Sequence, residues 1–377
     1  MMKVIVLGAG LVGAPMVFDL ASAGEFDVTV ADVSPENLKK FEGHDRIRTI
    51  RQDLSKPEDV KSLVTDFDMV LSAVPGFMGF KTLKAIIEAG KNVIDIAFFP
   101  EDLFELDELA RLNGVIAISD IGVAPGMSNV LIGYAHHQLD KTTRAVTYVG
   151  GLPRERVWPY EYKAVFSPID VIEEYTRPAR YIENGKMVVK PALSDPELLN
   201  FPGIGTLEAF NSDGLRSLAE TIDCPNMIEK TLRYKGHIEK MAVLRETGFF
   251  SKEPININGV MISPLDFTSR ILFPKWKLEE GEEDITVMRV IIEGHKDGKA
   301  LRYTYDLFDQ YDPDTKVHSM ARTTGYTATM ALRMVAQGLY TRKGVSAPEF
   351  IGKKKECVEF LLKGLADRGV IYRETIE

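Results

Sequence analysis

A glycine-rich turn near the start of the chain constrains its fold more than any other feature. Gly8-Ala9-Gly10-Leu11-Val12-Gly13 follows the apolar run Lys3–Leu7 and opens a helical segment, Ala14–Ala23, closed by Gly24. In the pattern G-x-G-x-x-G the first glycine permits a tight turn. The second lets a pyrophosphate approach the backbone, and the third lets the helix pack closely on the strand. The free N–H groups at the helix start attract phosphate with no formal charge. Asp32 closes the next apolar run, Val28–Ala31, about 20 residues further on, where a carboxylate accepts from both ribose hydroxyls and repels a 2′-phosphate. Val33, Ser34, Pro35 and Glu36 follow with no arginine among them, so the expected cofactor is NAD rather than NADP. Gly8, Gly10, Leu11, Val12, Gly13 and Asp32 are the expected cofactor contacts. Asp53, after the third strand, fits an adenine-side contact, and Asp53 or Ser55 fits a helix N-cap equally well.

The pattern repeats through the first third of the chain. Strands are predicted at Ile47–Arg51, Met69–Val74, Val93–Ile96 and Val115–Ile118. Helices are predicted at Pro57–Val64, Phe80–Ala89 and Leu103–Asn113, and a long helix at Met127–Leu139. Near-continuous apolar strands alternating with helices indicate a Rossmann-type, doubly wound parallel sheet covered on both faces. Ligands of such sheets bind outside the carboxyl ends of the strands. The loops there, Ala73-Val74-Pro75 and Asp120 to Gly126 with Gly122, Val123 and Ala124, are further expected cofactor contacts. Asp95 falls within an apolar strand and must find partners there, as a hydrogen-bond anchor or as a site residue.

The middle of the chain has a different texture. Strands are predicted at Thr143–Val149, Tyr160–Phe166, Met187–Val189, Leu207–Phe210, Lys230–Tyr234, Ile285–Glu293 and Leu301–Leu307. Hairpin turns are predicted at Asn184-Gly185 and Asp297-Gly298. Helices are expected at Pro168–Tyr175, Leu215–Ile222 and His237–Thr247, then in the tail near Tyr326–Ala336 and Lys353–Arg368. The expected organisation is a dinucleotide-binding domain over 1–121, an α+β substrate and dimerisation domain over 122–320, and C-terminal helices over 321–377. A formal charge of −9 argues against broad phosphate neutralisation of a nucleic acid. No apolar run is long enough to span a membrane, so the expected setting is cytoplasmic. With only Cys224 and Cys357, a secreted disulfide scaffold is excluded and a cysteine-based zinc site nearly so, and no metal motif is present.

Val4–Gly13, Asp120–Asn129, Gly150-Gly151-Leu152-Pro153 and Thr231–Tyr234 with Gly236-His237 resemble the saccharopine dehydrogenase family over nearly the whole chain. Phe166–Arg180, Leu207–Ile222 and His237–Phe250 are most similar to the L-lysine 6-dehydrogenases within it. The resemblance implies a homodimer and oxidation of a C–N bond of an amino-acid amine, with hydride passing to a nicotinamide. Glutamate-forming saccharopine reductases in the family carry a basic residue where this chain has Asp32. The expected substrate is therefore L-lysine, oxidised at its ε-amine to a product that closes as a cyclic imine. Cleavage of saccharopine, or a non-catalytic NAD-sensing role, are the alternatives. A substrate carboxylate is best met by guanidinium, which singles out Arg233 and Arg216, with Tyr160 lining the cleft. Asp120, Asp95 and His237 are the candidate bases. Arg322-Thr323-Thr324-Gly325, ahead of the tail helix, offers hydroxyls and helix N–H groups to an anion.

Overall fold

The computed structural model describes residues 1–279 and 281–377. The chain divides into two units, Met1–Gln138 with Met320–Tyr372, and Leu139–Ser319 with Arg373–Glu377.

The first unit is built on β1 (Met2–Leu7), β2 (Phe26–Asp32), β3 (Ile47–Arg51), β4 (Met69–Ser72), β5 (Asn92–Asp95) and β6 (Ile116–Ile118), in the order β6-β5-β4-β1-β2-β3. A seventh strand from the tail, Gly344–Ser346, pairs with β6, and every pairing is parallel. Val4 to Leu7 are fully buried because helices cover both faces of this sheet. On one face the core includes Ile5, Leu7, Val70 and Val93 of the sheet with Val60, Leu83 and Ile86 of the helices. The order reverses between β1 and β4, which makes the carboxyl ends of these two strands the switch point.

Two tail helices, Ser319–Ala336 and Lys355–Ala366, complete this unit from Met320 onward. A part-buried ion network holds them. Asp19 Oδ2 accepts from Arg333 Nη1 at 2.6 Å and from Thr329 Oγ1, while Asp19 Oδ1 accepts from Arg368 Nε at 2.6 Å. The helix Met127–Gln138 packs with this unit, which as a compact body runs to Gln138. Its cover explains why: a Cβ on Gly133 would lie 2.4 Å from the Glu349 carbonyl oxygen, so the helix backbone and the tail segment Pro348–Lys353 pack in direct contact.

The second unit carries a nine-stranded sheet. Its main path runs Glu197–Phe201, Gly205–Asn211, Met227–Tyr234, Lys141–Pro153, Asp284–Lys296, Lys299–Gln310 and Tyr372–Ile376. The hairpin Ala179–Glu183/Lys186–Lys190 joins at Met227–Tyr234. Met227–Tyr234 runs parallel to Lys141–Pro153, and the hairpins are antiparallel. Asn184-Gly185 and Asp297-Gly298 all have positive φ, as two-residue hairpin turns require. Helices Pro168–Thr176, His237–Glu246 and Pro264–Trp276 contribute to a core around Tyr175, Phe210, Met241 and Trp276.

Three local expectations are corrected. Tyr160–Phe166 is not a strand: Ala164 N–H bonds to the Trp276 carbonyl, and only an isolated bridge forms. The helix expected from Leu215 shortens to Leu218–Thr221, because Arg216 has a left-handed backbone. Arg322–Gly325 lies inside the helix Ser319–Ala336, not ahead of it.

Candidate functional site

At the switch point each glycine has a separate reason to be glycine. Gly8 has φ +100°, and a Cβ there would lie 2.7 Å from the Ala73 carbonyl oxygen, in the loop after β4. At Gly13 a Cβ would lie 2.1 Å from the Gly8 carbonyl oxygen, so the helix Gly13–Ser22 packs directly on the turn. Gly10 is exposed with nothing within 4 Å of its Cβ position, which leaves open backbone. The helix that follows has no side-chain cap and no acidic residue in its first turn. Its N–H groups and dipole therefore suit an anion, and the donor set fits a dinucleotide pyrophosphate. Leu11 is exposed and Val12 half-buried at the same turn.

Asp32 ends β2 with 8% exposure. Its Oδ2 accepts from Ala9 N at 2.7 Å and its Oδ1 from Ser34 N at 2.7 Å, so the carboxylate is tied to the glycine turn itself. Asp53 is exposed and accepts from Ser55 N at 2.9 Å, closing a local turn that holds its carboxyl below the usual range. Neither residue caps the next helix, whose N-cap is Lys56. Ala73 N–H bonds to the Leu7 carbonyl, and Pro75 is the N-cap of the helix Gly76–Glu88. In the other loop, Gly122 N–H bonds to the Pro125 carbonyl and Ser128 N–H to that of Val123. Ala124 lies between them in this closed turn.

A polar row crosses the same end of the sheet. Ser72 and Asp95 are register partners on β4 and β5, and Ser119 follows β6. All three are fully buried. Ser119 Oγ donates to Asp95 Oδ2 at 2.9 Å, Ile121 N–H reaches the Asp95 carbonyl, and Asp95 Oδ1 has no hydrogen-bond partner. Burial pushes the Asp95 carboxyl up to about 7; the nearby Ser72 and Ser119 hydroxyls oppose this and the Asp120 charge adds to it. Asp120 is buried with φ +59°. Among the described non-glycine residues with positive φ, Asp120 and Arg216 are the buried polar ones. A left-handed backbone at such residues is a strain that clusters at functional sites.

In the second unit the structure brings Arg233, His237 and Tyr160 together, though not as a substrate contact surface. Arg233 is 2% exposed. Its Nε donates to Tyr175 OH at 3.1 Å, its Nη1 to the Leu232 carbonyl at 2.9 Å, and its Nη2 to Glu174. The guanidinium also sits 4.6 Å from the Tyr162 ring centroid. His237 Nδ1 lies 2.8 Å from the Tyr160 carbonyl, which can only accept, so Nδ1 carries the proton. Nε2 then accepts from Tyr175 OH at 3.0 Å. Burial, and then the Arg233 charge, lower the imidazole to about 3. Both ring nitrogens are committed, which removes His237 as a base, and Arg233 is committed to its own core. The Tyr160 ring meets Trp276 edge-on at 6.1 Å.

A second polar cluster is built from Arg177, Arg180, Asp213 and Glu229, with the Arg216 charge acting on Arg177. Arg180 grips Asp213 with two bonds of 2.8 and 3.0 Å. Arg177 pairs with Glu173 at 3.7 Å, and burial followed by the Arg216 charge disfavours its cation. Glu229 Oε2 accepts from Ser212 Oγ at 2.7 Å and Gly214 N at 3.1 Å, and burial raises its carboxyl to about 8. Sequence reasoning missed Ser72, Ser119, Tyr175 and Glu229. The two serines had a legible signal, since Val-Leu-Ser72, Val-Ile-Asp95 and Ala-Ile-Ser119 each close an apolar strand with a polar residue. Among the described residues no group of three or more acids, histidines or cysteines is placed to hold a metal ion, and no helix is long and apolar enough to cross a membrane.

Residues 4–118 match the model of the saccharopine dehydrogenase NADP binding domain, and residues 122–370 that of the saccharopine dehydrogenase C-terminal domain. The chain belongs to the saccharopine dehydrogenase family. Mitochondrial alpha-aminoadipic semialdehyde synthase of Bos taurus is 25% identical over 448 residues, covering 98% of this chain and 47% of that protein. The chain thus spans about half the length of the first such relatives. Saccharopine dehydrogenase (NADP(+), L-glutamate-forming) of Schizosaccharomyces pombe is 24% identical and covers 100% of this chain and 99% of its own. The structure of apo saccharopine dehydrogenase (L-Glu forming) from Saccharomyces cerevisiae aligns with a TM-score of 0.81 at 20% identity over 100% of both chains, so the fold is shared.

Proposed function

We propose that this chain is an NAD-dependent dehydrogenase oxidising a C–N bond of an amino-acid amine, with the ε-amine of L-lysine as substrate and a homodimer as the working assembly. Asp32 is the observation that carries the cofactor choice, while the substrate and the dimer rest on the resemblance of Phe166–Arg180, Leu207–Ile222 and His237–Phe250 to L-lysine 6-dehydrogenases. A fixed carboxylate at the end of β2, bonded to the glycine turn, suits two ribose hydroxyls and opposes a 2′-phosphate. Gly8, Gly10 and Gly13, with the N–H groups at the start of the helix, would hold the pyrophosphate. The loops Ala73–Pro75 and Gly122–Ala124 would flank the nicotinamide. Bound there, the nicotinamide would accept a hydride.

The ε-amine must lose its proton before its lone pair can help expel hydride from the ε-carbon. Asp95 is the favoured proton acceptor, with Asp120 second. A carboxyl near 7 is half ionised at neutral pH, where general-base catalysis is most effective. Water then adds to the resulting iminium and ammonia leaves. The aldehyde condenses with the α-amine, losing water, to give a cyclic imine. Arg216, held in a left-handed backbone, is the proposed partner of the α-carboxylate. Lysine is favoured over a tricarboxylate by charge balance: Arg177, Arg180 and Arg233 are already matched by Glu173, Asp213 and Glu174.

A second reading, oxidation of saccharopine, is favoured by the names of the bovine and fission-yeast relatives. NAD reduction measured with lysine and with saccharopine from about pH 7 to about pH 10 separates the two. Lysine turnover should climb with pH as the amine, with a reference pKa near about 10.4, deprotonates. Turnover of saccharopine alone would replace the first reading with the second.

A further inference from the structure

We infer that Arg51 is a selectivity residue placed to take a 2′-phosphate, so that cofactor choice is a contest between Asp32 and Arg51, a role that rests on the dinucleotide reading above. No arginine follows Asp32 in the sequence; sheet register supplies one. β2 and β3 run parallel with Asp32 and Arg51 as partners, so both side chains leave the same face at the carboxyl ends of their strands. Arg51 is exposed, and its Nε donates to the Val33 carbonyl at 3.4 Å, directly after Asp32. That bond holds the guanidinium beside the end of β2 and uses one of its five N–H donors.

Neighbouring cations are committed elsewhere. Arg48 pairs with Asp27 and Lys39 with Glu36, whereas Arg51 makes no ion pair among the described residues. Asp32 cannot swing across to neutralise it. Ala9 N and Ser34 N hold the two carboxylate oxygens, and Asn37 Nδ2 approaches Oδ2 at 3.4 Å. The end of β2 therefore presents a fixed anion that selects ribose hydroxyls beside a planar cation suited to phosphate. NAD is preferred, and the weaker binding of NADP is carried by Arg51.

The test is equilibrium titration of NADH and of NADPH into the full chain, read by nicotinamide fluorescence, for wild type, R51A, D32S and the double variant. R51A should weaken NADPH by about 10- to 100-fold, the range for a lost charge-assisted bond, and change NADH by less than about twofold. D32S should strengthen NADPH, and adding R51A to D32S should abolish that gain. An R51A variant that weakens both ligands alike, or neither, overturns the role of Arg51, as does a double variant that keeps the gain. If neither NADH nor NADPH binds wild type, the dinucleotide reading itself fails and the role of Arg51 falls with it.

Discussion

Replacing Asp95 with asparagine should stabilise the protein at alkaline pH while removing activity. In the unfolded chain the carboxyl titrates at 3.8, and in the folded chain burial raises it to about 7. Between those values the folded state binds more protons than the unfolded state, so stability falls as pH rises. The stability is fully present below 3.8 and its loss is complete above about pH 7. A shift of roughly three units at about 1.4 kcal/mol each gives a penalty of about 4 kcal/mol at pH 8. Asparagine keeps an acceptor for Ser119 Oγ and has no charge to bury. In urea unfolding followed by circular dichroism, Asp95→Asn should exceed wild type by up to that amount at pH 8, and the gap should close toward pH 4. As the proposed base, Asp95 should cost about 10²- to 10⁴-fold in kcat when replaced. Equal stability of the two proteins at both pH values would refute the burial argument. Unchanged kcat would remove Asp95 from the chemistry.

Further outcomes follow from the same geometry. Tyr175→Phe leaves Arg233 Nε and His237 Nε2 unmet and should cost about 2–4 kcal/mol in urea unfolding. The lowered imidazole should make wild-type stability full above 6.5 and drain it as pH falls toward about 3, a slope that His237→Gln should flatten in acid unfolding. Asp19→Ala takes from Arg368 its carboxylate partner and leaves Arg333 with Glu25 alone, and should cost about 1.5–3 kcal/mol, with limited proteolysis releasing the tail first. Arg216→Met should raise the KM for lysine far more than it lowers kcat, the pattern of lost ground-state binding.

The first unit was legible because its signals are local. β3 and the helix Pro57–Val64 fall on their predicted residues, and Gly8, Gly13 and Asp32 occupy the positions their spacing demands. The second unit was less legible where long-range partners decide. Tyr160–Phe166 has a strand-like composition, yet Ala164 N–H bonds to Trp276 and the Tyr160 carbonyl to His237, more than 70 residues away in sequence. The helix Pro264–Trp276 went unseen between its own prolines. Arg233 and His237 were rightly singled out as chemically able, but only tertiary contact shows that Tyr175 and Glu174 have already claimed them. Arg51 shows the reverse: sheet register brings it beside Asp32, which sequence adjacency does not.

The most direct test of the central claim is hydride transfer from L-lysine carrying deuterium at both ε-carbon positions. Purified protein is incubated with NAD, and the reduced cofactor is examined by mass spectrometry. The account predicts one deuterium per reduced cofactor, formed as the cyclic imine accumulates. Reduced cofactor without deuterium, or no reduction with lysine at any pH between about 7 and about 10, where its amine becomes increasingly neutral, would contradict it.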